Sequence, residues 1–231
     1  MEIITKTPEL IVLRMEGNES LANAIRRSVS EVPTLAIDDV EVYKNDSALY
    51  DEMIAHRLGL VPLKTEKAMS KKTKIDLKIS KIGPCTVYSS DLKGNAELVH
   101  DKIPIVILGD EQKLELVATA ALGRGVDHAK FIPGLCYYRH ILEIKSSPAI
   151  DKIIQQSKGL ITPEKKGAKW ICDLNEAEAD VIEKMEKDSA KPADEILLVI
   201  ESYGSMDAKD ILSKALETLQ ENLDELEKAV K

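Results

Sequence analysis

The stretch Asn18-Glu-Ser-Leu-Ala-Asn-Ala-Ile-Arg-Arg-Ser-Val-Ser-Glu-Val-Pro-Thr-Leu-Ala-Ile37 decides how the chain is read. Asn18 can accept a hydrogen bond from the free N–H groups of a first helical turn. Leu21, Ile25, Val29 and Val32 recur at steps of three or four, so they share one helix face. Pro33 cannot continue a helix and pushes Val32 toward an extended conformation. The spacing predicts a helix over 19–32 with an apolar side, and with Arg26 and Arg27 turned away from much of it. An amphipathic helix lying on its own core accounts for such a stripe without any partner.

Residues 2–15 upstream read as strands, with the compact run Leu-Ile-Val-Leu at 10–13 between Pro8 and Gly17. Downstream, Leu35, Ile37, Val40 and Val42 alternate, and Asp38-Asp39 breaks the phase, which predicts two strand pieces or a bulge. The stretch 51–63 reads as a short helix, with Asp51 as its cap, Ile54 and Leu58 on one face, and Gly59 suited to a left-handed stop. The lysine-rich run 66–74 predicts an exposed loop. Strands are expected at 75–79, 85–89, 104–108, 113–119 and 136–145, with a glycine-bearing loop over 121–134. From 149 to 193 the chain turns charged and helical, and Asn175-x-x-Glu178 has the form of a capping box. The run 196–200, Ile-Leu-Leu-Val-Ile, predicts a strand covered on both faces.

The clearest periodicity lies at the end. Leu212, Leu216, Leu219, Leu223, Leu226 and Val230 step by four and three, a heptad seam. A helix over 207–230 is about 36 Å long at 1.5 Å per residue. A seam so narrow suits a helical hairpin within the chain and a contact with another chain equally well.

The 231 residues are 44% apolar but only 3% aromatic, so the core is built mainly from Ile, Leu, Val and Ala. With 32 basic and 40 acidic residues the net charge is −8, a poor balance for neutralising phosphates of nucleic acid. Cys85, Cys136 and Cys172 stand far apart, with no Cys-x-x-Cys pair, which speaks against a zinc site and against a disulfide framework and fits a reducing cytoplasm. The N-terminus shows no secretory apolar region, and no apolar run is long enough to span a bilayer.

Chemistry is sparse. Gly123-Arg-Gly125 with Asp127, His128 and Lys130 could cradle a phosphate, but it matches neither a dinucleotide fingerprint nor a P-loop, and a tight turn explains it as well. His56, His100, His128 and His140 are scattered, and no nucleophile elbow is present. Asp38 and Asp39, adjacent in a strand, point to opposite faces. No catalytic residue and no metal ligand set is therefore expected.

Four motifs carry a resemblance to a known family. Leu21-Ala-Asn-Ala-Ile-Arg-Arg27 resembles the Leu-Gly-Asn-Ala-Leu-Arg-Arg motif of the alpha-subunit family of multisubunit RNA polymerases. Asp51-Glu-Met-Ile-Ala-His-Arg-Leu-Gly-Leu-Val-Pro-Leu63 is similar to a segment found in the archaeal D-type branch of that family and in the eukaryotic third-largest polymerase subunit. So is the loop Gly123-Arg-Gly-Val-Asp-His-Ala-Lys-Phe-Ile-Pro133. Val199-Ile-Glu-Ser-Tyr-Gly204, followed by the last helix, resembles the family's strand end and closing helix. The motifs occur in the family's order and span nearly the whole chain, which is identified on them as a member of the archaeal D-type branch.

The resemblance implies an α+β fold with a discontinuous dimerisation domain of a sheet and two long helices, over 1–46 and 194–231. It implies an inserted, mainly β domain over 47–148. The segment 149–193 stands where many relatives carry a ferredoxin-like domain with an iron–sulfur cluster. Here only Cys172 is left of the cluster motif, so no cluster and no complete ferredoxin-like shape are expected.

The function implied is transcription, as a non-catalytic assembly platform. Leu21, Ile25, Val29, Leu212, Leu216, Leu219, Leu223, Leu226 and Val230 would form the interface with the small subunit L. Arg26, Arg27, His56, Arg57, Arg124, His128 and Lys130 would meet the large subunits and the small zinc-binding subunits N and P, with Arg27 in an ionic contact to the second-largest subunit. Direct DNA binding is not expected, since the chain stops after the helix, and the protein would be cytoplasmic. Two rivals are a homodimeric scaffold unrelated to transcription and a phosphate-handling enzyme built on the Gly123–Lys130 loop.

Overall fold

The computed structural model describes residues 1–70 and 72–231. Lys71, within the lysine-rich run, lies outside the described residues. In chain order the elements are β1 (Glu2–Lys6), β2 (Leu10–Glu16), α1 (Glu19–Val29), β3 (Thr34–Asn45), α2 (Asp51–Gly59) and β4 (Lys74–Ile82). Then come β5 (Cys85–Tyr88), β6 (Lys93–Gly94), β7 (Pro104–Leu108), β8 (Lys113–Gly123) and β9 (Gly134–Lys145). The last third holds α3 (Pro148–Gln156), β10 (Glu164–Lys166), β11 (Lys169–Cys172), α4 (Glu176–Met185), β12 (Ala190–Ser202) and α5 (Ala208–Val230).

Two main sheets organise the molecule. The first has six strands in the order β1-β2-β12-β9-β11-β10, and the second has four in the order β3-β8-β4-β6. Every pairing is antiparallel. A two-stranded β5–β7 ribbon completes the second unit. The chain thus leaves the first sheet after α1, builds the second unit, and returns at β9.

This corrects the expected boundaries at 46 and 148. β3 pairs with β8 along its whole length, so it belongs to the inserted unit. β9 pairs with both β12 and β11, so it belongs to the first sheet. The reason is non-local: partners lie some tens of residues away, and periodicity carries no record of them. The phase break at Asp38 is a β-bulge, where the β3–β8 register shifts between Ile37 and Asp39. β8 runs on to Gly123, which shortens the predicted loop.

Helix ends follow local chemistry. Asn18 accepts the Leu21 N–H at 3.0 Å, and α1 stops at Val29, three residues short of Val32. At α2 the cap is Tyr50 rather than Asp51, whose carboxylate instead accepts from the Asn45 amide at 2.8 Å. Gly59 is the last helical residue, not a left-handed one. The capping box at Asn175 and Glu178 forms in both directions.

All four helices outside the inserted unit lie on one face of the six-stranded sheet. Ile11, Leu13, Cys136, Ile196, Leu198 and Ile200 meet α1 and α5, while Ile144, Trp170 and Cys172 meet α3 and α4. The alternate residues Val12, Ile141, Ile171, Leu197 and Val199 form a separate cluster on the other face. The run 196–200 is therefore covered on both sides, as its uniform apolarity predicts.

The segment after β9 departs from expectation. The succession β9-α3-β10-β11-α4-β12 is a βαββαβ unit, and its strands stand in the order fourth, first, third, second. That is the ferredoxin-like arrangement, complete despite the missing cysteines. Ile150, Ile154, Ile182 and Trp170 pack its helices onto the sheet. Apolar burial, not a cluster, holds the shape here.

Trp170, the only tryptophan, donates its indole N–H to Asp151 at 2.7 Å. Bonds from Lys165, Trp170 and Ser146 hold the Asp151 carboxyl down at about 2. A carboxyl with a depressed folded-state pKa adds stability above its unfolded value, and loses it as pH falls through the folded one. We expect Trp170 fluorescence in the folded protein to titrate with a midpoint near pH 2, and Asp151→Asn to remove that transition.

Among the described residues, no helix is long and apolar enough to cross a membrane.

Candidate interaction surface

Helix α5 is the centre of the site. Its first half is fixed to the protein by Ala208, Ile211 and Ala215, all buried against the sheet and α1. Leu212 and Leu219 are half-buried at the edge of the same cluster. Beyond residue 219 every position to the C-terminus is exposed. Leu216, Leu223, Leu226 and Val230 are 43%, 53%, 60% and 79% exposed, an apolar row on a projecting helix. Leu21 of α1 is 38% exposed. This row of side chains lacks apolar cover within the chain.

The structure divides the nine expected interface residues. Ile25 and Val29 are 2% exposed within the chain's own core, so they support α1 from beneath and offer a partner no surface. Leu21, Leu216, Leu223, Leu226 and Val230 are open, and Leu212 and Leu219 lie between. One face of α1 therefore serves the fold, and a narrower strip of α5 is left for contact.

The cationic residues also separate. Arg26 donates to the Asn23 side chain at 2.9 and 3.1 Å, whereas Arg27 is exposed and makes no side-chain hydrogen bond or ion pair among the described residues. Arg57 reaches the carbonyl of Pro104 at 2.5 Å, tying α2 to β7. Arg124 pairs with Asp127 at 3.4 Å.

His56, His128 and Lys130 come together. They line one cleft of about 250 Å³ between α2, β3 and the loop after β8, with Asp38 and Asp39 on its wall. No sequence signal joins these motifs, which lie some seventy residues apart.

The loop itself is built by close packing. A Cβ at Gly123 would stand 2.5 Å from the Phe131 ring, and one at Gly125 would stand 2.9 Å from the Ser30 carbonyl oxygen. The Val126 N–H donates to that same carbonyl, so the loop is fastened to the end of α1. The Lys130 ammonium sits 2.8 Å from Asp38 and 4.9 Å from the centre of the Phe131 ring. His128 Nδ1 accepts the Lys130 backbone N–H at 3.1 Å. The glycines admit neighbours, and the lysine is neutralised by the protein's own carboxylate, an arrangement that presents no free cradle to a phosphate.

The thiols show no site chemistry. Burial pushes both Cys136 and Cys172 up to about 12. Only Cys85 is partly accessible. A disulfide reagent will titrate one thiol quickly in the native protein and all three in denaturant. An iron–sulfur cluster needs three or four thiolates, and the ferredoxin-like unit supplies one, turned into its apolar core. The residues present do not fit that group.

Comparison with known proteins places this architecture. The chain is 34% identical over 245 aligned residues to the protein of Pyrococcus horikoshii named DNA-directed RNA polymerase subunit Rpo3, an alignment covering 97% of this chain and 95% of the relative. The chain belongs to the Rpo3 family. The Rpo3 of Thermococcus kodakarensis is 35% identical, over 96% of this chain and 94% of its own length. That of Methanocaldococcus jannaschii is 43% identical over 141 residues, 60% of this chain and 73% of the relative. The RNA polymerase Rpb3/RpoA insert domain matches residues 37–133. That span coincides with the second sheet and its glycine loop, and ends where β9 re-enters the first sheet. The Rpo3 family consists of subunits of DNA-directed RNA polymerase, and this chain accordingly takes part in transcription as one of them.

Proposed function

We propose that this subunit is a non-catalytic assembly platform that pairs with the small subunit L through α5 and the exposed edge of α1. The observation that carries the reading is the open row Leu216, Leu223, Leu226 and Val230 on a helix whose first half is locked into the core. A fixed root with an exposed apolar tip presents a preorganised surface, which lowers the ordering cost of association. The resulting heterodimer would seat the second-largest subunit, with the exposed Arg27 guanidinium as the ionic contact. The cleft of His56, His128 and Lys130 would face the large subunits and the small zinc-binding subunits N and P. The chain's charge of −8 supports a role apart from direct DNA binding.

Size exclusion with light scattering tests this on the full chain mixed with subunit L. A 1:1 complex is the expected result. A monomer that ignores subunit L, or a symmetric homodimer that persists in its presence, would refute the pairing and favour the homodimeric scaffold.

A further inference from the structure

We infer that residues 157–163, Ser-Lys-Gly-Leu-Ile-Thr-Pro, are a releasable strap over the second face of the six-stranded sheet, with Asp173 as its latch. The first observation is how that face is covered. All four helices packed on the sheet lie on its other side. In the apolar cluster on the second face, Leu160 and Ile161 are the only members that do not come from the strands themselves. A buried sheet face needs a covering layer, and here a seven-residue segment without regular structure provides it.

The second observation is how little holds the segment down. Ser157 closes the end of α3. Beyond it, one hydrogen bond ties the strap to the rest of the protein among the described residues: Leu160 N–H donates to Asp173 Oδ2 at 2.7 Å. Asp173 is itself held by Arg139 Nη2 at 2.6 Å, and its side chain is 1% exposed. Where the strap crosses, a Cβ at Gly159 would stand 2.1 Å from the Asp173 carbonyl oxygen, so the closed position needs glycine there.

The third observation explains why the latch is poised. Asp173 Oδ1 and Arg139 Nε are both buried and without a hydrogen-bond partner. The Arg139 side chain is itself 39% exposed, and an ion pair that leaves a buried atom of each partner unsatisfied gains less than a fully satisfied one. Opening the strap hydrates both atoms, which offsets part of the cost of exposing Leu160 and Ile161. Segments with few anchoring bonds and a compensated opening cost unfold locally, ahead of the rest of the molecule.

Hydrogen exchange on the full chain, paired with trypsin cleavage at the Lys158–Gly159 bond, tests the strap. In the unmodified protein the Leu160 amide should exchange well before the amides of β9 and β12. Asp173→Asn should raise both Leu160 exchange and cleavage by about tenfold, the scale of one lost charge-assisted hydrogen bond. Amides of α1, α5 and the inserted unit should not change. Gly159→Ala leaves the ion pair intact and should open the strap to a similar extent by steric means. Two results would overturn the inference: no change at Leu160 or Lys158 in either variant, or simultaneous loss of protection across β9, β11 and β12, which would make the segment part of one cooperative core.

Discussion

Replacing Leu223 and Leu226 together with aspartate will abolish the complex with subunit L while leaving the chain's own melting temperature nearly unchanged. Both side chains are more than half exposed, and no residue beyond 219 is buried in the chain's own core. Burying a fully exposed leucine gains about 1.5–3 kcal/mol, and a little over half of each of these two is open, so losing both from an interface costs about 2–3 kcal/mol before the desolvation of two carboxylates is added. At 1.4 kcal/mol per tenfold, the dissociation constant rises on the order of a hundredfold or more. Light scattering across a concentration series reads this directly. Ile211→Asp is the contrasting variant. Ile211 is fully buried between α5 and the sheet, so a charge there should unfold the helical layer rather than only weaken association.

Gly123→Ala will destabilise the inserted unit through a single methyl group. The new Cβ would meet three carbons of the Phe131 ring at 2.5–2.7 Å, and a buried ring cannot swing aside as a flexible chain end can. Overpacking of this kind costs about 1–3 kcal/mol. For a chain of this size that lowers the melting temperature by roughly 2–4 °C per kcal/mol. Lys130→Ala tests the other half of the loop. Its partner Asp38 is more than half exposed, and such pairs contribute at most about 1 kcal/mol. If the loop is held by packing rather than by charge, differential scanning calorimetry will show the glycine variant to be the more damaging of the two.

The helices are the most legible part of this chain, because an apolar repeat and a cap are written in adjacent residues. Asn18, the row Ile25 and Val29, and the seam from Leu212 to Val230 mark out α1 and α5, with α1 closing a little before its apolar row ends. The continuous apolar run at 196–200 signals its two-sided burial in the same way, and the bulge at Asp38 shows as a phase break. Pairing is not legible. β3 and β9 change sheets relative to expectation because their partners are distant in sequence. The ferredoxin-like unit is hidden for a different reason. Its edge strand, Glu164-Lys-Lys166, is wholly exposed and shows no alternation, and the missing cysteines say nothing about Ile150, Ile154 and Ile182, which form the core.

The candidate site is legible in part. Periodicity marks which residues share a face but not what covers that face. Ile25 and Leu21 therefore look alike in sequence, although one is core and the other is surface. The meeting of His56 with His128 and Lys130 needs the tertiary structure, since each side of the cleft comes from a separate motif. Arg27 stands out by its motif, and its freedom from any partner among the described residues becomes visible only in the fold.

The most direct test of the platform account is hydrogen exchange of residues 220–231, measured with and without subunit L. These amides belong to a helical segment whose residues are all exposed, so they should exchange quickly in the isolated protein. In the 1:1 complex they should become strongly protected, with the protection centred on Leu223 and Leu226. Unchanged exchange at these residues in a proven complex would place the interface elsewhere and contradict the account.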